Sequence, residues 1–249
     1  MTFSIAARCP ETGMFGVAIS SSSPAVAARC AWVRAGVGAA CTQNITDPRL
    51  GPALLDRLAR GDTASQAIAA ITAAEPLIAW RQLTVIGPAT PATPAAAAAA
   101  GAPGQPAAAS QPDPGAAYSG DGVLGLHASA LGEHCVAAGN LLATPDVPQA
   151  MTAAFAAAAT AGRPFGDRLV AAMQAAVAAG GEAGPVHSAG MLIVREVPWP
   201  VADLRVDWSD DPIAGLAHLW DLWAPQLDAY VTRALNPSGA PSYGVPGDR

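Results

Sequence analysis

The stretch that most constrains this chain is its opening, "MTFSIAARCPETGMFGVAISSSS". In "TFSIAAR", Phe3, Ile5 and Ala7 alternate with Thr2, Ser4 and Ala6, the period of two that marks a strand. "CPETG" supplies Pro and Gly turn chemistry and "MFGVAIS" resumes the alternation, so the two segments read as an antiparallel hairpin. With Arg8 opposite Phe15, counting back sets Thr2 opposite about Ser21. A slip of one or two residues changes little, because the serine tract Ser20–Ser23 still returns to the chain's first residue.

Downstream, "WVRAGVGAACTQ" reads as a third strand. Asp47 and Pro48 open a helix to about Arg60, stopped by Gly61. "TASQ" is a capping box for an alanine-rich helix to about Glu75, and "RQLTVIG" is another strand. Residues 88–117 are Pro/Ala/Gly low complexity, which buries too little apolar surface to offset chain entropy, and are expected as a disordered insertion between strands. "GVLGLHASA" and "EHCVAAGNLLA" then read as strands. Helices follow from Asp146 and Pro148 to about Ala161 and from about Phe165 to Ala179, and "AGMLIVRE" and "ADLRVDW" form a late strand pair. Asp210 or Asp211 caps a long amphipathic helix with a core-facing stripe of Ile213, Leu216, Leu219, Trp220 and Trp223. Strands, two helices, strands, two helices, strands and one helix suit an α+β fold: a four-layer αββα sandwich of antiparallel sheets. One domain over 1–235 and a flexible tail over 236–249 are expected.

Composition narrows the chemistry. At 249 residues and 51% apolar, the chain can build a sizeable core. The net charge of −6 leaves no basic stripe to neutralise phosphates, which argues against nucleic acid. Thirteen arginines and no lysine exclude a lysine base, Schiff base or phosphate clamp. Cys9, Cys30, Cys41 and Cys135 lack CxxC spacing and are expected as buried free thiols. His127, His134, His187 and His218 form no HExxH or Cys/His cluster, so no metal and no cofactor are expected. No basic leader precedes an apolar core and no unbroken apolar run reaches ~18 residues, so a cytoplasmic protein with no membrane partner is expected, as a homo-oligomer.

What remains is a set of neutral polar groups at strand ends: Thr2, Ser20–Ser23, Thr42–Gln43–Asn44 and Gly139–Asn140. Turn chemistry accounts for such residues in general. The hairpin, however, sets two of the groups side by side. Removal of Met1 gives Thr2 a free α-amine beside its own hydroxyl, a nucleophile with a built-in base whose ordinary pKa is ~7.7–8.0. On this reading Thr2 is catalytic. Ser22 and Ser23 orient it or bind substrate, and backbone amides near Gln43 and Asn44, with the Asn140 side chain, stabilise an oxyanion. A serine hydrolase using Ser21 or Ser188 with a histidine stays open, although no GxSxG elbow places its serine.

The opening through "VGAACTQNITDPRLG", with "HCVAAGNLLATPDVPQAM" and "DLRVDWSDDPIAGL", resembles the bacterial family designated domain of unknown function ten twenty-eight. That family is grouped with the Ntn (N-terminal nucleophile) hydrolases. The resemblance implies their αββα fold, an amide substrate such as a small amide or short acyl-amino acid, and a nucleophile at Thr2. It names no substrate. Proteasome-type members use a lysine near the nucleophile, and here the corresponding turn holds serines followed by Arg29. A catalytically inactive Ntn fold serving as a binding or assembly protein is therefore the alternative.

Overall fold

The structure, a computed structural model, describes residues 1–89 and 115–247. The opening hairpin forms as the alternation dictates. β1 (Thr2–Arg8) pairs antiparallel with β2 (Phe15–Ser21), with Arg8 opposite Phe15 and Phe3 opposite Ser20. Both strands are buried along their whole length, because they lie in the middle of a six-stranded sheet. Its strand order is β10-β9-β2-β1-β8-β7, where β7 is Ala128–Gly132, β8 Cys135–Asn140, β9 Ser188–Val194 and β10 Ala202–Val206.

The second sheet has four strands in the order β3-β4-β5-β6: Ala31–Arg34, Gly38–Asn44, Arg81–Ile86 and Ala116–Ser119. Here the structure corrects the single third strand expected from "WVRAGVGAACTQ". That segment is a tight hairpin, turned at Gly36, whose φ of 69° lies in the left-handed region that glycine enters without steric cost. The low-complexity reading also ends earlier than expected, since Ala116 and Ala117 belong to β6 and pair with β5. The expectation of disorder otherwise falls on residues 90–114, which lie outside the described residues.

Helices cover the outer face of each sheet. A short turn, α1 (Ala27–Cys30), leads into β3; α2 (Leu50–Ala59) and α3 (Ala64–Ala74) lie on the small sheet. The capping box at α3 is complete, with Thr63 and Gln66 satisfying each other's backbone amides. α4 (Val147–Thr160), α5 (Phe165–Ala178) and α6 (Pro212–Trp223) cover the large sheet. The long C-terminal helix is interrupted. A 3₁₀ turn at Ala224–Gln226 contains Pro225, which has no N–H to donate, and α7 (Leu227–Leu235) follows. Beyond it Tyr243 lies under the Arg233 guanidinium, 3.8 Å from ring centroid to Cζ.

Three apolar layers result. Phe3, Ile5 and Ala7 point toward α4 and α5, while Ala6, Val17 and Ile19 fill the space between the sheets with Ala39, Cys41 and Ile86. Leu54, Leu58, Leu83 and Val85 form the third layer under α2 and α3. These are the layers of an αββα sandwich. All four cysteines are buried and free, and burial pushes the thiols of Cys41 and Cys135 up to about 12.

Candidate functional site

The alternation that buries Phe3 turns Thr2 and Ser4 to the inter-sheet side, and the hairpin register brings the end of β2 beside them. Thr2 is 5% exposed, and its hydroxyl lies 3.4 Å from Ser21 Oγ. Both hydroxyls donate to the Met1 carbonyl oxygen. Ser23 N donates to Ser21 Oγ at 3.0 Å. Ser22 N donates to both carboxylate oxygens of Glu182, at 3.2 and 3.3 Å. Ser22 thus meets Glu182 through its hydroxyl as well as its main-chain amide, Ser23 acts through its main-chain amide, and Ser21 is the serine whose hydroxyl meets Thr2.

Glu182 sits in the segment after α5, where its residue bridges Leu142. It is 5% exposed. Burial pushes its carboxyl up to about 7, against the opposing pull of the chain's α-ammonium and the Ser22 hydrogen bonds. Beside it opens a cleft of about 460 Å³, bounded by the end of α5, the 180–186 segment and the start of α6, which Phe3 also reaches.

On the other side of Thr2, Asn140 is its direct partner across β1 and β8. It begins a buried relay that crosses between the sheets. Asn140 Nδ2 donates to Gln82 Oε1 at 3.0 Å, and Gln43 Nε2 donates to the same oxygen at 2.7 Å. Gln82 Nε2 donates to the Gly139 carbonyl at 3.0 Å and to Ser119 Oγ at 2.9 Å. Ser4 Oγ donates to Gln43 Oε1 at 2.6 Å. The direction of this chain follows from one atom. The Gly139 carbonyl can only accept, so Gln82 must turn its NH₂ to it and its oxygen to Asn140 and Gln43. Asn140 is thereby obliged to turn its NH₂ toward Gln82. Its Oδ1, fully buried, has no hydrogen-bond partner among the described residues. The atom Asn140 leaves unpaired is an acceptor.

Of the residues singled out from the sequence, Thr2, Ser22, Ser23 and Asn140 converge at this end of the sandwich, with Gln43 behind them in the relay. Asn44 is placed differently. It ends β4 at φ 72°, donates from Nδ2 to the Trp80 carbonyl at 2.7 Å and accepts from Leu124 N at 3.1 Å, so it pins two loops together. Ser188 Oγ donates to the Ser23 carbonyl at 2.6 Å and accepts from Val26 N at 3.2 Å, which commits it to the backbone. His187 stacks on Trp208, with ring centroids 4.3 Å apart. No group of three or more His, Cys, Asp or Glu among the described residues is arranged to hold a metal ion.

Sequence reasoning missed Glu182 and Gln82, and although it set Ser21 opposite Thr2 it gave the orienting role to Ser22 and Ser23. Gln82 did carry a signal: it shares an inward strand face with Thr84, where an apolar residue is the rule for a buried strand. Glu182, between Gly181 and Ala183 after a helix, reads as an ordinary loop acid.

No helix among the described residues is long and apolar enough to cross a membrane. No curated protein matches the chain. Among solved structures, protein SPO2555 of Silicibacter pomeroyi, itself assigned to DUF1028, is similar to it. The two are 28% identical with a TM-score of 0.73, over 89% of this chain and 85% of that one. The model of the family of unknown function DUF1028 matches residues 2–111 and 96–216. With nearly the whole described sandwich inside those matches, the chain belongs to the DUF1028 family.

Proposed function

We propose that the protein hydrolyses the amide bond of a small molecule, with Thr2 as an Ntn-type nucleophile once Met1 has been removed. The observation that carries this reading is the placement of the Thr2 hydroxyl. A residue at a frayed terminus faces solvent, whereas Thr2 is buried against Ser21 at the polar end of the sandwich. Thr2 Oγ1 attacks the substrate carbonyl carbon while its proton passes to the Thr2 α-amine. The negative charge on the tetrahedral oxygen is met by the Ser21 hydroxyl, the group that now donates to the Met1 carbonyl. The C–N bond breaks, the leaving nitrogen takes the proton, and an ester on Thr2 remains. Water then attacks that ester with the amine again as base, releasing the acid and restoring the hydroxyl.

The unpaired Asn140 Oδ1 supports a different role from the oxyanion donor expected of it. As an acceptor it receives an N–H from the substrate amide or from the Thr2 ammonium. The same reading places the protein in the cytoplasm, where methionine is excised ahead of a small second residue, and as a homo-oligomer, which sedimentation checks. Intact mass spectrometry decides the first requirement, and a screen of small amides decides the second. Chains that retain Met1 throughout would favour the alternative, an inactive binding or assembly protein; the absence of lysine is the feature that keeps it in view.

A further inference from the structure

Three features describe the place of Met1. Its carbonyl oxygen accepts from Ser21 Oγ and Thr2 Oγ1. Its α-ammonium lies within electrostatic reach of Glu182, whose carboxylate Ser22 N fixes in place. Its thioether lies against Gly184 on the cleft wall: a methyl group built there would stand 3.6 Å from Met1 Cε and 3.9 Å from Sδ. The chain's first residue is therefore an α-aminoacyl group whose carbonyl is hydrogen-bonded in the site and whose side chain lies along the cleft wall, on the side of Glu182.

Chemistry ties that seat to a substrate. The nitrogen and hydroxyl oxygen of a threonine are two carbons apart, so acyl groups carried on one or the other interconvert through a five-membered ring. An acyl group on Thr2 Oγ1 thus shares the neighbourhood that Met1 occupies on Thr2 N. Once Met1 has left, the Ser21 hydroxyl, the Glu182 carboxylate and the cleft face the incoming molecule. We propose that the substrate is an α-aminoacyl amide, with a free α-ammonium facing Glu182 and an apolar side chain of about methionine's length lying along Gly184 into the cleft. This rests on the reading of Thr2 as nucleophile and narrows it.

The alternatives are disfavoured by charge. An N-acylated amide brings no cation to a buried carboxylate, and an acyl part bearing a carboxylate meets Glu182, Asp210 and Asp211 together on the cleft. The bond changes are those given above: the aminoacyl carbon passes from nitrogen to Thr2 Oγ1 and then to water, and the free amino acid leaves.

The test is calorimetric titration of the protein beginning at Thr2 with L-methioninamide and with N-acetyl-L-methioninamide, with ammonia release followed in parallel. The expected result is that the free amine binds at least about tenfold more tightly than the acetylated one, a difference that Glu182→Gln removes. Thr2→Ala is expected to bind L-methioninamide while releasing no ammonia. Equal binding of the two amides, or no binding of L-methioninamide up to about 10 mM, overturns the aminoacyl site. Hydrolysis of both amides at equal rates also overturns it but leaves Thr2 standing as nucleophile. Selective binding without turnover upholds the aminoacyl site and removes the nucleophile.

Discussion

Gln82→Leu tests the relay that fixes Asn140. Gln82 is fully buried, and its side-chain amide makes four hydrogen bonds. Leucine fills much the same volume but neither donates nor accepts. Two buried donors, Gln43 Nε2 and Asn140 Nδ2, then lose their acceptor, whereas half-buried Ser119 can turn to water. Leaving a buried polar group unsatisfied costs roughly 1–3 kcal/mol, so two set an expected loss of about 2–6 kcal/mol. Denaturant unfolding reads this as a lower midpoint with an unchanged slope. Gln82→Glu separates hydrogen bonding from packing, because a protonated carboxyl keeps one O–H for Gly139 and a carbonyl oxygen for the two donors. Its cost should therefore be smaller at pH 5 than at pH 8. A loss below about 1 kcal/mol for Gln82→Leu would refute the account, and the orientation assigned to Asn140 would go with it.

Glu182 should make stability fall as pH rises. Its folded pKa of about 7 stands above the ordinary 4.5, so the native state binds the extra proton between those values; stability is full below the lower and lost through the upper. The wild type should lose on the order of 3 kcal/mol across that window, seen as a falling melting temperature, while Glu182→Gln stays flat. Ser21→Ala should lower the rate on any amide that the protein hydrolyses by roughly 10²-fold, against a small effect for Ser23→Ala, whose contribution is main-chain. Gly166→Ala should destabilise by about 1–3 kcal/mol, opposite to the gain expected from helix propensity, because the added methyl would stand 2.2 Å from Trp220 Cζ2. Thermal melts of this variant decide which effect wins.

The parts of the fold that were legible are those in which a local rule has only one outcome. Period two and a short loop fix a hairpin's register, so counting back from Arg8 opposite Phe15 reaches Thr2 beside Ser21, where the structure has it. The Thr63–Gln66 box is likewise a local device. Where two local rules compete, sequence is weaker. "RAGVGAA" contains small residues that suit either a buried strand or a turn, and only the left-handed Gly36 decides. Pro225 stands in an amphipathic pattern that runs on unbroken through it, so the stripe outweighed the missing N–H. Asn44 and Asn140 are the same residue type, each at a strand end, yet one ties two loops and the other faces Thr2. Their roles depend on contacts at separations no local rule reaches, Asn44 with Leu124 and Asn140 with Gln82.

The polar end of the sandwich follows from what fills the rest of it. Between the sheets, small residues such as Ala6, Ala31, Ala39 and Cys41 interleave with larger ones such as Val17, Ile19 and Ile86, and together they set the separation of the two backbones. At such a spacing an amide side chain from one sheet can reach a carbonyl of the other, as Gln82 reaches Gly139. A longer apolar filling would hold the sheets apart and strand those amides without partners, at a cost no strand propensity offsets. The relay in turn leaves a single acceptor, Asn140 Oδ1, on the Thr2 side. In a chain without lysine, the charges at this end among the described residues are the α-amine, Glu182 and, further along the cleft, Asp210 and Asp211. A cation brought to that carboxylate, whether the chain's own amine or that of an aminoacyl substrate, favours its ionised form. Substrate binding should therefore expel a proton from Glu182 near neutral pH. Measuring the binding heat in buffers of different ionisation enthalpy counts that proton, and a count of zero at pH 7 would exclude contact between the substrate's amine and Glu182.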